Sequence, residues 1–381
     1  MHTKPQSIRV LSWRGRWGGA LAEAVSRPFT QATGIAVEPV FHVGLRLPGA
    51  LVSALESEAP PPVDVVWCNT SPALRAAKRG WCGPLEGLGV LRSLRDRAQL
   101  EGHPDWPLAQ AYAVHYVLVY RTSLYPEAAP QSWEVMYDRK HAGKVVLYPG
   151  GNGFYPVAQI LGGGSVERIP SDMSACWSAV ARLRTQLGTP DYSIGLETAI
   201  ARGDVDLCHR ALPNALAFRA AGLAVDWTVP REGVADTTDS LWVPRGLAPA
   251  VNHWAREYIA FALSAPVQQH WCALLGALPM HARAEAPELL RSQSRLPANA
   301  DDRRGVLFVP DQVKAVHEPG WETTFDAVVR GEQAAVTAIK PGLVLSSMGK
   351  RGDGSGVPVF HRVRRSRDVL SPTAAAIEAA T

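Results

Sequence analysis

Along most of this 381-residue chain, a short β-branched run, a glycine-containing turn and an amphipathic helical stretch follow one another repeatedly. This alternation is the strongest constraint the sequence carries. Strands joined through helices run parallel, and the helices must cover the sheet they build. Residues 8–12 (IRVLS) read as a strand and WRGRWGG as the turn after it. Residues 19–33 read as a helix with Leu21, Val25 and Phe29 on one face, Gly34 as its C-cap and a kink or break at Pro28. A strand at 35–41, a helix near 48–58, the apolar strand VDVVWC at 63–68 and a helix from Pro72 to Arg79 continue the cycle, with Gly80 as its stop.

Residues 111–120 (AYAVHYVLVY) form a strand long enough to leave one lobe and enter another, and so mark a candidate hinge. A second cycle opens with strand 144–148, the turn PGGNG and a helix at 154–161. It continues through helix 171–187, a helix near 194–202, strand 205–209 and helix 213–221. After DTTDSLWVP at 236–244 the pattern turns mainly helical, with helices at 249–264 and 266–275 and shorter ones to about Leu290. Two lobes suit this length. Residues 331–381 read as an appended tail, with a polar glycine-rich stretch and a charge run lacking an apolar face.

Composition excludes several classes. The formal charge is +4, and residues 340–381 carry seven Lys/Arg against three Asp/Glu, so the rest of the chain is neutral and offers no basic surface for nucleic acid. Cys68, Cys82, Cys176, Cys208 and Cys272 are widely spaced, which fits small buried hydrophobes better than a disulfide framework or a zinc site. No run reaches the roughly 20 apolar residues of a membrane span. Residues 1–7 lack the basic start and apolar stretch of a secretory leader, which leaves either a leader already removed or a protein retained inside. No nucleophile elbow, zinc-protease motif, phosphate loop or dinucleotide fingerprint is present, so neither catalysis nor a cofactor is expected.

What recurs is a polar or aromatic turn at the C-terminal end of a strand, where open α/β sheets bind ligands. Trp13 and Trp17 either stack on a ligand or plug the core. Asn69, Thr70 and Ser71 either cap the next helix or bond a solute. The turn Gly150-Gly151-Asn152-Gly153 either receives an anion on its backbone amides or is only a flexible turn. Arg210, after strand 205–209, is the best single candidate for an anionic group. Of the hinge neighbours His115 and Tyr116, which face opposite sides, Tyr116 is assigned to the cleft. Asp239 is placed to receive an ammonium or to make a turn.

Four stretches together resemble a known family. They are SWRGRWGGALAEAVSRPFTQATGIAVEPV at 12–40, DVVWCNTSPALRAAKRGWCGPLE at 64–86, SWEVMYDRKHAGKVVLYP at 132–149, and DSLWVPRGLA at 239–248 with WAREYIAFALSAPVQQHW at 254–271. In order and spacing they resemble the extracellular solute-binding proteins of spermidine/putrescine-type ABC importers, over about 8–310. The resemblance implies an α/β, two-lobed type II periplasmic-binding-protein-like fold, each lobe a mixed sheet covered by helices. Lobe 1 spans 8–115 plus 240–330 and lobe 2 spans 116–239, with a small polar solute held between them. It also implies a periplasmic, monomeric protein that works with ABC transporter permease subunits, is not an enzyme and uses no cofactor. The polyamine branch places contacts at Trp13, Thr70, Ser71 and Tyr116 and an acid at Asp239. Its further acids are replaced here by Gly151 and Asn152, and an aromatic by Thr237. Arg210 and the glycine turn therefore suit an amino acid, aminophosphonate or small carboxylate better than a polyamine. The competing functions are a thiaminase-like enzyme using Cys68 as nucleophile and a cytosolic ligand sensor.

Overall fold

The structure, a computed structural model, describes residues 3–42, 46–96, 107–188 and 195–332. All belong to the unit Met1–Pro341; a second unit, Gly342–Thr381, lies outside the described residues, as does the tail assigned above beyond Glu332.

The first strand, β1 (Ser7–Ser12), leads through Gly15, at φ 66°, into α1 (Gly15–Leu21). A π-wound turn at residues 22–26 separates α1 from α2 (Arg27–Thr33). This is the break expected at Pro28, which has no amide hydrogen to give to the preceding turn; the wider winding accommodates it. Gly34 then closes α2 at φ 76°, its amide donating to Thr30 O at 2.8 Å. Next come β2 (Ala36–Phe41), α3 (Gly49–Glu56), β3 (Val65–Asn69) and α4 (Thr70–Lys78). β2 and β3 both pair with β1 in parallel, as the β-α-β pattern requires.

The long strand β4 (Ala109–Arg121) is followed by β5 (Val145–Val146), α5 (Tyr155–Leu161), α6 (Ser174–Leu183) and α7 (Leu196–Arg202). Then come β6 (Leu207–Ala211), α8 (Leu212–Ala220), β7 (Val225–Thr228) and β8 (Asp236–Trp242). The remaining elements are α9 (Pro249–Ala262), α10 (Ala265–Leu275), β9 (Leu278–Pro279), α11 (Glu288–Arg291) and α12 (Asp311–Arg330).

β4 belongs to two sheets. Its residues 109–115 pair antiparallel with β8 and, at Tyr112 and Ala113, with β9. Its residues 116–121 pair antiparallel with β6 and β7. One sheet therefore runs β2-β1-β3-β8-β4 and the other β4-β6-β5, with His115 and Tyr116 at the crossing. Each is mixed, because β8 enters the first sheet against the direction of β3 and β6 runs parallel to β5 but against β4. All of β4 from Ala109 to Tyr120 is buried, which suits its nearly continuous apolar sequence.

Three elements depart from the sequence reading. α6 ends at Leu183, short of the expected 187, because Leu187 bridges to Val145 and Gln186 O accepts the Val145 amide. β7 pairs along β4 where no strand is legible. α12 is a 20-residue helix in a stretch to which the sequence reading assigns no element, and it continues through Pro319. Pro319 leaves the Ala315 carbonyl without its helical donor, and Arg75 Nη1 reaches that oxygen at 3.4 Å. The Thr323 and Thr324 hydroxyls bond back to Pro319 O and Gly320 O, at 3.1 and 3.0 Å.

Candidate functional site

A cavity of about 730 Å³ opens where the two sheets meet. A row of side chains across three strands backs it, with Asn69 and Asp239 on its wall and Tyr112 buried behind them. The register places Asn69 of β3 and Tyr112 of β4 on either side of Asp239 of β8. Asn69 Nδ2 donates to Asp239 Oδ1 at 2.8 Å, and the Tyr112 hydroxyl donates to Oδ2 at 2.6 Å. The pairing shifts register between Gln110, opposite Ser240, and Tyr112, opposite Asp239, so Ala111 is the extra residue of a bulge. Side chains alternate along a strand, so without the bulge Tyr112 would share a face with Gln110. With it, Tyr112 joins Asn69 and Asp239. Gln110 donates on the opposite face to Thr238 at 3.3 Å and to Asp311 at 3.0 Å.

Asp239 is 1% exposed as a residue and still lines the cavity. Burial is the main force on its carboxyl, pushing it up to about 7 against the donors Tyr112, Asn69 and Trp67, with the Asp311 charge adding to the rise. A carboxyl held at that point is poised to ionise when a cation arrives.

The walls are aromatic. Trp13, just after β1, and Trp17, in α1, lie 6.0 Å apart, and Trp13 meets Trp67 edge-on at 4.6 Å. Across from them Tyr116 and Tyr148 meet edge-on at 5.7 Å, and Tyr116 stacks on His209 at 4.7 Å. The Tyr116 hydroxyl donates to Asn152 Oδ1 at 2.7 Å. Gly153, at φ 74°, is required beside it, since a Cβ there would collide with the Tyr116 ring.

Of the sequence candidates, Trp13, Trp17, Asn69, Tyr116 and Asp239 lie together on the cavity wall. Four others do not. Thr70 is fully buried, its hydroxyl bonded to Ser240 and Thr238 at 2.7 Å each on the opposite face of β8. Ser71 donates to Glu318 and accepts from Arg75 at 2.9 Å. Asn152 stands behind Tyr116. Arg210 is 4% exposed, with its guanidinium 4.4 Å above the Tyr148 ring and Nη1 donating to the His209 carbonyl. The glycine turn is partly taken up within the fold. The Gly151 amide is spent on Tyr148 O, and Gly150 and Gly151 are pressed against Glu322 and Phe325 of α12.

Sequence reading passed over Arg14, His42, Arg46, Tyr148, Asn214 and the α12 residues Glu322, Thr323 and Asp326, all on the cavity wall. Tyr148 ends the strand run 144–148, so the strand-end rule could have found it; the α12 residues carried no signal. Cys68 is 2% exposed and absent from the cavity lining, and burial pushes its thiol up to about 12. Among the described residues, no three His, Cys, Asp or Glu side chains converge as metal ligands, and no helix is long and apolar enough to cross a membrane.

Residues 24–298 match the family of bacterial extracellular solute-binding proteins. The chain belongs to that family. Its fold is accordingly two-lobed and periplasmic-binding-protein-like. An ABC transporter substrate-binding protein from Bradyrhizobium japonicum USDA 110 is similar at TM-score 0.69 and 16% identity, over 85% of this chain and 99% of that one. The binding protein MotA from A. tumefaciens B6, in complex with glucopine, is similar at TM-score 0.69 and 14% identity, over 85% and 99%. The Atu4243-GABA receptor is similar at TM-score 0.65 and 20% identity, over 85% and 97%. At these identities the likeness concerns the fold. No protein of curated function matches in sequence. As a solute-binding protein of the ABC-transporter kind, the chain is of a class that binds small solutes and works with permeases, and its family is extracellular.

Proposed function

We propose that this solute-binding protein captures a small organic solute bearing a protonated amino group, closes its lobes on it without turnover, and presents it to an ABC permease from the periplasmic side. The observation that carries this reading is Asp239, a buried carboxyl on the cavity wall with both oxygens already oriented by neutral donors. A cation meeting it among Trp13, Trp17 and Tyr116 gains a countercharge and aromatic faces together. The lobes are residues 8–115 plus 240–330 and residues 116–239, and they move about the crossing at Tyr116 and the entry to β8. A ligand touching both favours the closed state through its differential affinity.

A second reading is an amino acid whose carboxylate meets Arg14. That guanidinium lies on the cavity wall and stacks 4.9 Å from the Phe41 ring, and one fold neighbour is described as a GABA receptor. Catalysis by Cys68 has no support in its buried, protonated thiol.

A thermal-shift screen of alkyl amines, polyamines, amino acids, aminophosphonates and carboxylates tests the proposal. A true ligand at 100 times its Kd adds about 2.7 kcal/mol. Amine-bearing compounds are expected to stabilise the native protein and to lose that effect in Asp239→Asn. Stabilisation by carboxylates alone, unchanged in the variant, would overturn it.

A further inference from the structure

The solute-binding reading accounts for one end of the cavity, where Asp239 sits. The other end is built by α12, outside the residues that match the family. The first turns of this helix are fastened to the strands of the first sheet. Lys314 Nζ lies 3.1 Å from both Asp311 Oδ1 and the Asp236 carbonyl, and Asp311 Oδ2 accepts from Gln110 at 3.0 Å and Thr238 at 2.7 Å. Past Pro319 the helix leans on the second sheet's side: Trp321 meets Tyr155 at 5.2 Å, and the helix packs against residues 149–151 and α6.

Glu322 lies in this second half. Its stem is set against Gly150, which at φ 65° has no Cβ; one placed there would lie 2.9 Å from Glu322 Cγ. Glu322 pairs with Arg46 Nη2 at 3.0 Å, and the two partners differ sharply. The Glu322 side chain is 24% exposed, that of Arg46 84%. The acid is held by its helix and the glycine turn. The arginine is a solvated counterion, and an ion pair so exposed holds it weakly.

We infer that Glu322 is a specificity-determining residue of the cleft, reading a second cationic group of the solute, which takes the carboxylate over from Arg46. This deepens the amine reading and rests on it. A solute spanning Asp239 and Glu322 would touch both the crossing strands and α12, so its length and its distal charge would be selected together. Thr323 and Asp326 line the same stretch of wall, one residue and one helical turn from Glu322, and extend that polar end.

The test uses three probe series on the full chain, each an alkyl amine of four to eight carbons whose far end is a methyl, a carboxylate or a second ammonium. Calorimetry is run on the native protein, Glu322→Gln, Arg46→Gln and Asp239→Asn. The native protein is expected to prefer the diamine of one length. Glu322→Gln should lower diamine affinity about tenfold or more, as loss of a hydrogen bond between charges does, and leave the monoamine within about twofold. Arg46→Gln should raise diamine affinity by freeing the acid. Loss of both probes in equal measure in Glu322→Gln would make its role merely structural and overturn the inference. So would a preference for the carboxylate series that Arg46→Gln abolishes. Should no series bind, or should binding survive Asp239→Asn, the amine reading itself fails and this one falls with it.

Discussion

Tyr112 and Asp239 face each other across β4 and β8, and the phenol donates to the carboxyl at 2.6 Å. The contact holds a buried acid where a solute can reach it without neutralising it, and the acid's own proton becomes a reporter of binding.

The carboxyl of Asp239 is raised to about 7 in the folded chain, above its ordinary value, so the folded state holds that proton more tightly than the unfolded one. The ligand-free protein therefore has this contribution in full at pH below about 4, and loses it as pH climbs from about 4 through about 7. Melting curves of the native protein and Asp239→Asn across this range should show the native chain losing ground to the variant as pH rises. A constant difference would mean the carboxyl is not raised.

Binding of a cation reverses the preference, because it favours the ionised acid. At about pH 6 each amine bound should expel close to one proton, and at about pH 8 almost none, with affinity rising towards a plateau above about 7. Calorimetry in buffers of different ionisation enthalpy counts those protons directly. A ligand held through Arg14 alone would release none.

Asp239→Asn should weaken amine binding by about 2–5 kcal/mol, the usual cost of removing one partner of a buried charge pair. Arg210→Met should change it by less than about 0.5 kcal/mol, since that guanidinium is not on the cavity wall, while lowering the melting temperature through loss of its stack on Tyr148. The opposite order would restore the anion reading that the sequence suggested.

Iodoacetamide should leave Cys68 unlabelled in the native protein at neutral pH, because its thiol is buried and pushed up to about 12. Modification at a rate faster than global unfolding, read by mass spectrometry of the peptide, would reopen the enzymatic alternative.

Gly153→Ala should cost about 1–3 kcal/mol in stability and more in binding, since a methyl group there needs φ near 74° and strikes the Tyr116 ring. Chemical denaturation gives the first quantity and titration with a stabilising amine the second. A variant as tight-binding as the native chain would show that Tyr116 does not need its position.

Strand ends were legible because the β-α alternation is written in local apolar spacing. Trp13, Trp17 and Asn69 are singled out for that reason, Tyr116 and Asp239 for their place at the two crossings, and the structure gathers all five at one cavity. Thr70 and Arg210 sit at equally good strand ends and point elsewhere. Which face a residue takes depends on register across strands far apart in sequence, and the bulge at Ala111 alters that register without any local mark. α12 was hidden for a different reason. Pro319 and Gly320 carry the signals of a helix stop, and the rescue of the freed carbonyl comes from Arg75, some 240 residues away. Its acids look like any solvated helical face until the glycine turn is packed against them.

Ala111 adds no functional side chain to the site, yet the way it is accommodated decides what stands beside Asp239. Were Ala111 taken into a regular ladder, β4 could still lie along β8 with its backbone bonds made, while Ala111 stood opposite Asp239, the Tyr112 hydroxyl turned to the far side and Asp239 kept Asn69 alone of these two donors. Such a slipped register would keep a folded sheet and lose its hold on a solute. At this point of β4, register carries the binding chemistry as firmly as residue identity does.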